Sequence, residues 1–471
     1  MSRAAARARA RIAAGFAWLA LAACSGGERP RSILLVTLDT TRADRLGCYG
    51  RNGARTPVLD ALAARGTRFA RAYTTAPITL PAHASLLTGA PPPQHGLRDN
   101  GIRALDPRIV TLAEVARASG LRTGACVSGF PLDSLFGLEQ GFESYSDEFG
   151  PAPGGGGTRM QERRGDQTVA VARAWLAGLA ADEAFFLWVH LFDAHEPYQA
   201  PAEFAQRFPD DPYQAEIAYQ DSVLAELFAA LDSGGRSADT LVVVTADHGE
   251  GLGEHGEETH ALLLYDTTMH VPLLLAGPDV PVDVCSEPVS LVDVAPTLVE
   301  LAGLTDGEEL ARHGGMSLVP LLRGAALPPR ELYLETLFPR LHFGWSELVG
   351  LVRADLKYVE APGQERAELY RPAQDPREQA DILAHDASQG PELARALDGL
   401  RRRLEANAFE GAHHAPSAGE LETLAALGYG GVDAEAEIPR ASGTSEPGRD
   451  PRQVIAAVSL LNAVRGLARI A

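Results

Sequence analysis

Ser32-Ile33-Leu34-Leu35-Val36-Thr37-Leu38-Asp39-Thr40-Thr41-Arg42 is the stretch from which this chain is best read. A near-continuous apolar run with no alternation predicts a strand buried on both faces, as in parallel sheets covered by helices. An acidic residue follows it directly. The pattern recurs at Phe185–Phe192, which ends in Asp193-Ala194-His195-Glu196-Pro197, and at Leu241–Thr245, followed by Asp247-His248-Gly249. His260 precedes a fourth run, Val271-Pro272-Leu273-Leu274-Leu275. Alternation of such strands with helical segments predicts an α/β fold with a large, mostly parallel sheet flanked by helices, and ligands of such sheets bind beyond the carboxyl ends of the strands. Any single one of these carboxylates is better read as a helix cap or a solvated loop residue. Together, Asp, Asp-x-His, Asp-His and His at four strand ends form the mixed carboxylate and imidazole set that divalent metals require.

Between the first two strands lies Thr79-Leu80-Pro81-Ala82-His83-Ala84-Ser85-Leu86-Leu87-Thr88-Gly89. A hydroxyl, then Leu-Pro, then an apolar run closed by glycine predicts a short helix with Thr79 as its N-cap. The helix N-terminus offers free N–H groups and positive potential to a tetrahedral oxyanion. A bare capping role for Thr79 is the plainer alternative.

With those pieces in place, Asp39-Thr40-Thr41-Arg42-Ala43-Asp44-Arg45-Leu46-Gly47-Cys48-Tyr49-Gly50, the Thr79 segment, Asp247-His248-Gly249-Glu250, Glu368-Leu369-Tyr370 and Asp375-Pro376-Arg377-Glu378 together resemble the sulfatase branch of the alkaline phosphatase superfamily, from about residue 30 to residue 405. The resemblance implies an alkaline phosphatase-like sheet domain with a small C-terminal α+β subdomain. The departures from that pattern are as informative. Formylglycine sulfatases carry Cys or Ser where Thr79 stands and Arg where His83 stands, and they have a second Asp at the position of Thr40. They also place lysines around the sulfate, whereas Lys357 is the only lysine of this sequence. Threonine cannot be oxidised to the aldehyde, so the chain is more similar to the members that use Thr or Ser directly for phosphoryl transfer.

That likeness implies one metal on Asp39, Thr79, Asp247 and His248. It implies either a second metal on Asp193, His195 and His260, or neutral imidazoles there that act on the leaving group. One or two divalent ions are expected, zinc first, with manganese or calcium as alternatives. Asn100 is a candidate donor to a non-bridging oxygen, with a turn-forming role as the other reading, and His83 joins the candidate catalytic set. The expected activity is hydrolysis or transfer of a phosphate ester, or of a sulfate ester, through a covalent Thr79 intermediate. The substrate would be an envelope glycan, a lipid or a small molecule. The alternative is a non-catalytic relative that binds an envelope glycan or lipid.

The N-terminus predicts the compartment. Arg3, Arg7, Arg9 and Arg11 precede an apolar Ile12–Leu21, and Leu21-Ala22-Ala23-Cys24 resembles a lipoprotein signal cleaved before Cys24. Acylation of Cys24 would hold the enzyme outside the cytoplasm on a bacterial membrane, the outer membrane of the periplasm in a Gram-negative cell. Loss of those four arginines takes the formal charge from −20 to −24, which argues against a nucleic-acid partner. Cys48, Cys126 and Cys285 imply no disulfide framework.

The predicted organisation is a signal peptide over 1–23, a tether over 24–30, a catalytic domain over 31–330, a C-terminal subdomain over 331–410, a flexible linker over 411–451 and a helical tail over 452–471. Thr56-Pro57 opens a helix that closes at Gly66, and Thr111 with Glu114 forms a capping box. Gly150–Gly157 reads as an insertion loop near the site. His342 and Trp345 are expected where the subdomain overhangs the pocket, as core residues or as a substrate platform.

Overall fold

The computed structural model describes residues 32–101, 103–151, 161–305, 307–414, 416–426 and 448–456. The signal peptide, Cys24, the tether, most of the Gly150–Gly157 insertion and the tail beyond residue 456 lie outside the described residues.

The large sheet contains β1 (Ser32–Leu38), β2 (Thr67–Tyr73), β3 (Arg122–Cys126), β4 (Ser144–Ser146), β5 (Phe185–Leu191), β6 (Thr240–Ala246), β7 (His270–Ala276), β8 (Asp283–Cys285) and β9 (Val289–Ser290). Its order is β8-β2-β7-β6-β1-β5-β3-β4, with β9 also paired to β2. Only β7 runs against its neighbours β2 and β6, so the sheet is mostly parallel as expected.

The unbroken hydrophobicity of β1 has a direct structural cause. Ile33 and Leu35 enter one core, while Leu34, Val36 and Leu38 enter the other. The first core is closed by α2 (Thr79–Thr88), α3 (Leu112–Ala118) and α6 (Val294–Ala302); the second is closed by α1 (Pro57–Ala63), α4 (Gly165–Ala177) and α5 (Pro212–Ser233). Each fully buried aliphatic side chain contributes about 1.5–3 kcal/mol, so both faces of β1 drive the sheet's assembly. The capping box forms, with Thr111 accepting from the Glu114 N–H and Glu114 accepting from the Thr111 N–H.

The C-terminal subdomain is an antiparallel sheet of β10 (Leu332–Thr336), β11 (Leu348–Arg353), β12 (Leu356–Glu360) and β13 (Ala367–Tyr370). Helix α7 (Gly390–Glu405) lays Leu393, Leu397, Leu400 and Leu404 on it, one apolar stripe at helical spacing.

The stretch expected to be a flexible linker is corrected in its described parts. Ala412–His413 pairs antiparallel with Arg103–Ala104, and residues Ala418–Ala426 form a helix whose Leu424 packs against Gly101. Farther on, Ser346 N–H donates to the Arg449 carbonyl (2.9 Å), Asp450 is buried, and Ile455 covers Gly256. These segments complete surfaces of other elements instead of folding on themselves.

Two buried ion pairs tie the subdomain to the sheet domain. Arg98 meets Glu335, and Lys357 Nζ lies 2.7 Å from Asp266 and 2.9 Å from Glu378. Burial pulls the Lys357 pKa down, but the two carboxylates outweigh it and raise the value. Lys357→Met removes the cation and strands two inward-facing carboxylates. It is expected to cost roughly 3–5 kcal/mol, read as a lowered midpoint in urea denaturation; an unchanged midpoint would show the pairing to be unimportant.

Candidate metal centre

Asp39, Asp247 and His248 come together at the carboxyl ends of β1 and β6, all buried, with one potential ligand atom from each within 4.8 Å of the others. Their remaining polar atoms are tied down. Asp247 Oδ1 accepts from the His248 N–H (2.8 Å) and the Thr40 N–H (3.2 Å). Thr40 reaches that position with φ of 50°, an unfavourable region for a β-branched residue. His248 Nδ1–H donates to the Gly249 carbonyl (2.9 Å), which leaves the Nε2 lone pair for a ligand. Asp39 Oδ2 accepts from His190 Nε2 (3.2 Å). Asp39 Oδ1, Asp247 Oδ2 and His248 Nε2 are therefore the atoms left over, and all three are buried without a hydrogen-bond partner.

The electrostatics agree with a site built for a cation. Burial pushes the Asp39 carboxyl up to about 7. Burial and the Asp39 charge both raise Asp247. Burial pulls His248 down, yet the Asp247 and Asp39 carboxylates outweigh it and raise the imidazole. Two adjacent carboxylates in a dry interior favour protons unless a metal replaces them. Three converging orphan atoms of carboxylate, carboxylate and imidazole type fit a divalent ion.

Thr79 stands beside this cluster, but not as the expected cap. Ile78 is the N-cap, with extended backbone, and Thr79 is the first helical residue. Its hydroxyl instead points to Asp39 Oδ2 at 3.5 Å. The capping task falls to Asn100, whose Oδ1 accepts from the Leu80 N–H (2.9 Å), leaving Asn100 Nδ2 buried and unpartnered. The two readings of Asn100 are thus compatible, since one end of the amide caps and the other is available.

His83 underlies Thr79. Its Nδ1–H donates to the Thr79 carbonyl (2.8 Å), so its Nε2 accepts from Thr37 Oγ1 (3.0 Å), which in turn accepts from Trp188 Nε1 (3.0 Å). Burial lowers the His83 pKa to about 3 and keeps the ring neutral. This residue positions the Thr79 backbone.

The second ligand set is only partly assembled. The His195 and His260 ring centres are 5.2 Å apart, and those of His248 and His260 are 4.5 Å apart. They meet because β7 is antiparallel, so the loop before it lies at the same sheet edge as the loops after β1, β5 and β6. Asp193 is not brought into a three-ligand cluster with these histidines. Its Oδ1 accepts from the Gly165 N–H (2.9 Å) at the start of α4, and the charged groups around it include Glu162, Arg164, Asp166 and Glu216. The preference of a carboxylate for a helix N-terminus accounts for this correction. His195 donates from Nδ1 to the Glu196 carbonyl (2.7 Å), and burial lowers its pKa to about 3.

Two residues escaped the sequence reading. His190 lies inside β5 and was hidden in an apolar run; its being the only polar residue of Phe185–Leu191 was the available signal. Glu250 follows His248 by two residues and accepts from Tyr198 (3.0 Å) and His260 Nδ1 (3.1 Å), with its pKa pushed up to about 7 by burial. His342 is held by Asp99 Oδ2 (2.6 Å) and stacks on Phe338, and Trp345 stacks on Phe343; both belong to the packing between subdomains.

Comparison with known proteins bears on this geometry. A family model described as Sulfatase matches residues 31–304. Arylsulfatase A of Homo sapiens is 28% identical, over 81% of this chain and 89% of its own length. The solved phosphonate monoester hydrolase of Agrobacterium radiobacter is similar with a TM-score of 0.65 and 22% identity, covering 82% of this chain and 100% of that one. A further structure, solved with its substrate D-glucosamine-2-N,6-O-disulfate, gives a TM-score of 0.64 and 18% identity, with coverage of 81% and 99%. At these identities the two solved structures speak for the fold alone. The family match spans more than half of the chain and contains Asp39, Thr79, Asp247 and His248, and the protein belongs to the Sulfatase family of ester hydrolases.

Proposed function

We propose that this protein cleaves phosphate esters, and sulfate esters more slowly, through a covalent ester on Thr79 and with one divalent cation held by Asp39, Asp247 and His248. The observation that carries this reading is the Thr79 hydroxyl: released from capping, it faces a carboxylate beside three unpartnered ligand atoms. The non-catalytic alternative gains no support from a site that leaves these atoms converging on one point.

When bound, the cation (zinc, or else manganese or calcium) supplies the charge that lowers the pKa of the adjacent Thr79 hydroxyl and balances the ester oxygens. Thr79 Oγ gives its proton to solvent and forms a bond to phosphorus or sulfur as the bond to the leaving oxygen breaks. Asn100 Nδ2 donates to a non-bridging oxygen. His195 and His260 face the leaving oxygen; an anionic ester beside them raises their pKa values, and one of them delivers a proton drawn from solvent. Water, or an acceptor hydroxyl in a transferase, then takes the group from Thr79 and restores its hydroxyl. The substrate is an envelope ester of glycan, lipid or small-molecule type, reached by an enzyme anchored to the membrane through acylated Cys24. Labelling of cells with a radioactive fatty acid is expected to mark the wild type and not Cys24→Ala; label on both would remove the anchor.

Thr79→Ala is expected to lower kcat on an aryl phosphate by roughly 10⁴ or more, while Thr79→Ser retains appreciable turnover. A quenched reaction should yield a phosphorylated Thr79 peptide by mass spectrometry. Full activity in Thr79→Ala would disprove the covalent route.

Metal content gives an independent measure. Elemental analysis should find about one equivalent in the wild type and in Asp193→Asn, and far less in Asp247→Ala. Because burial lifts Asp39 to about 7, its carboxyl takes up a proton below that pH, and the cation must displace it. Metal affinity is expected to fall about tenfold for each pH unit below 7. A flat titration from pH 7 to 5 would place the metal elsewhere.

A further inference from the structure

A cleft of about 1430 Å³ separates β2 from the C-terminal subdomain, and none of Asp39, Thr79, Asp247 or His248 lines it. Its charges are unevenly matched. Every lining carboxylate is answered: Asp44 and Glu254 by Arg42, Asp266 and Glu378 by Lys357, Asp355 by Arg371, Glu368 by Arg366 and Arg452, and Asp381 by the Leu369 and Leu383 N–H groups. Three lining arginines have no carboxylate partner among the described residues. Arg68 lies 4.9 Å above the Tyr49 ring. Arg71 bridges the two walls, donating to the Ser286 carbonyl (2.8 Å) and the Ala354 carbonyl (3.1 Å). Arg377 projects from the opposite wall and is exposed. Thr267 Oγ1, another lining group, is buried with no hydrogen-bond partner.

We propose that this cleft is an accessory binding site for an anionic oligosaccharide, held by Arg68, Arg71 and Arg377 outside the reacting centre. Guanidinium forks match sulfate and phosphate oxygens in pairs. Cations on two separate walls suit a ligand that carries anionic groups at intervals. The volume exceeds the roughly 300–1,000 Å³ of small-molecule sites, as a segment of several sugar rings requires. His255 stacked on Tyr265 at 3.5 Å offers a flat ring surface in the same cleft, the kind of face on which a sugar ring lies. On a chain of net charge −20, a polyanion is repelled by most other surfaces, which confines it to this cleft. Binding here is independent of the reaction at Thr79.

The test uses the full-length enzyme and a fluorescein-labelled heparin-derived hexasaccharide, with affinity read by anisotropy at 50 mM and 200 mM salt. The wild type and Thr79→Ala are expected to bind alike, more weakly at the higher salt. The triple variant Arg68→Ser/Arg71→Ser/Arg377→Ser is expected to lose at least tenfold. Arg377→Glu, a change at an exposed position that leaves folding intact, should lose several-fold by itself. Equal affinity in the wild type and Arg377→Glu, no binding by the wild type, or equal binding of the fully desulfated hexasaccharide would each overturn the site. Activity retained in Thr79→Ala would overturn the covalent mechanism and leave the binding result standing.

Discussion

Two buried carboxylates, Asp39 and Asp247, stand close enough to share one ligand, and much of the surrounding structure serves that constraint. In a dry interior such a pair repels itself and each member loses its hydration. The fold meets half of the demand with its own donors: one oxygen of each carboxylate is held, Asp39 by His190 and Asp247 by two N–H groups. The other oxygen of each is left facing the unprotonated nitrogen of His248. Among the described residues, no lysine or arginine is spent there. The nearest groups of the site are imidazoles that burial keeps neutral, such as His83 and His195. An external cation is the natural complement of such a site.

Threonine fits this environment. Its hydroxyl sits at the mouth of a helix, where a serine or threonine is ordinarily consumed as a cap. Asn100 takes over the cap and His83 holds the Thr79 carbonyl, so the side chain is free to turn toward Asp39. Membership of the Sulfatase family thus coexists with a threonine at this position, a side chain that cannot be oxidised to an aldehyde. The sole lysine of the chain, absent from the site, is locked between Asp266 and Glu378 in the seam between subdomains.

That seam links stability to the site. Lys357 reaches across it to Asp266, and the Arg98–Glu335 pair ties β10 to the loop that carries Asn100. Thr336, also on β10, donates to the Ala261 carbonyl next to His260. The C-terminal subdomain therefore bears on both sides of the candidate metal site, although it supplies none of the three potential ligands that converge there.

Several parts of this protein were legible from sequence alone. Ser32–Leu38, Phe185–Leu191 and Thr240–Ala246 announced a sheet buried on both faces because side-chain alternation disappears when both faces are covered. The acidic ends of the first and third runs marked candidate ligands, because together with imidazoles at neighbouring strand ends they form a mixed set, and Asp39, Asp247 and His248 do come together. What local pattern could not resolve was direction and distance. Asp193 looks in sequence like Asp39, yet it turns to the start of α4, because the Gly165 N–H, 28 residues earlier in the chain, takes its carboxylate. His260 belongs to the site because β7 runs antiparallel, which no residue in the loop itself reveals. Thr79 reads as a cap until Asn100 comes within 2.9 Å of Leu80. His190 was hidden by its apolar neighbours. Periodicity and propensity act over a few residues and were therefore read correctly; hydrogen-bond competition between distant segments was settled only when the chain closed on itself.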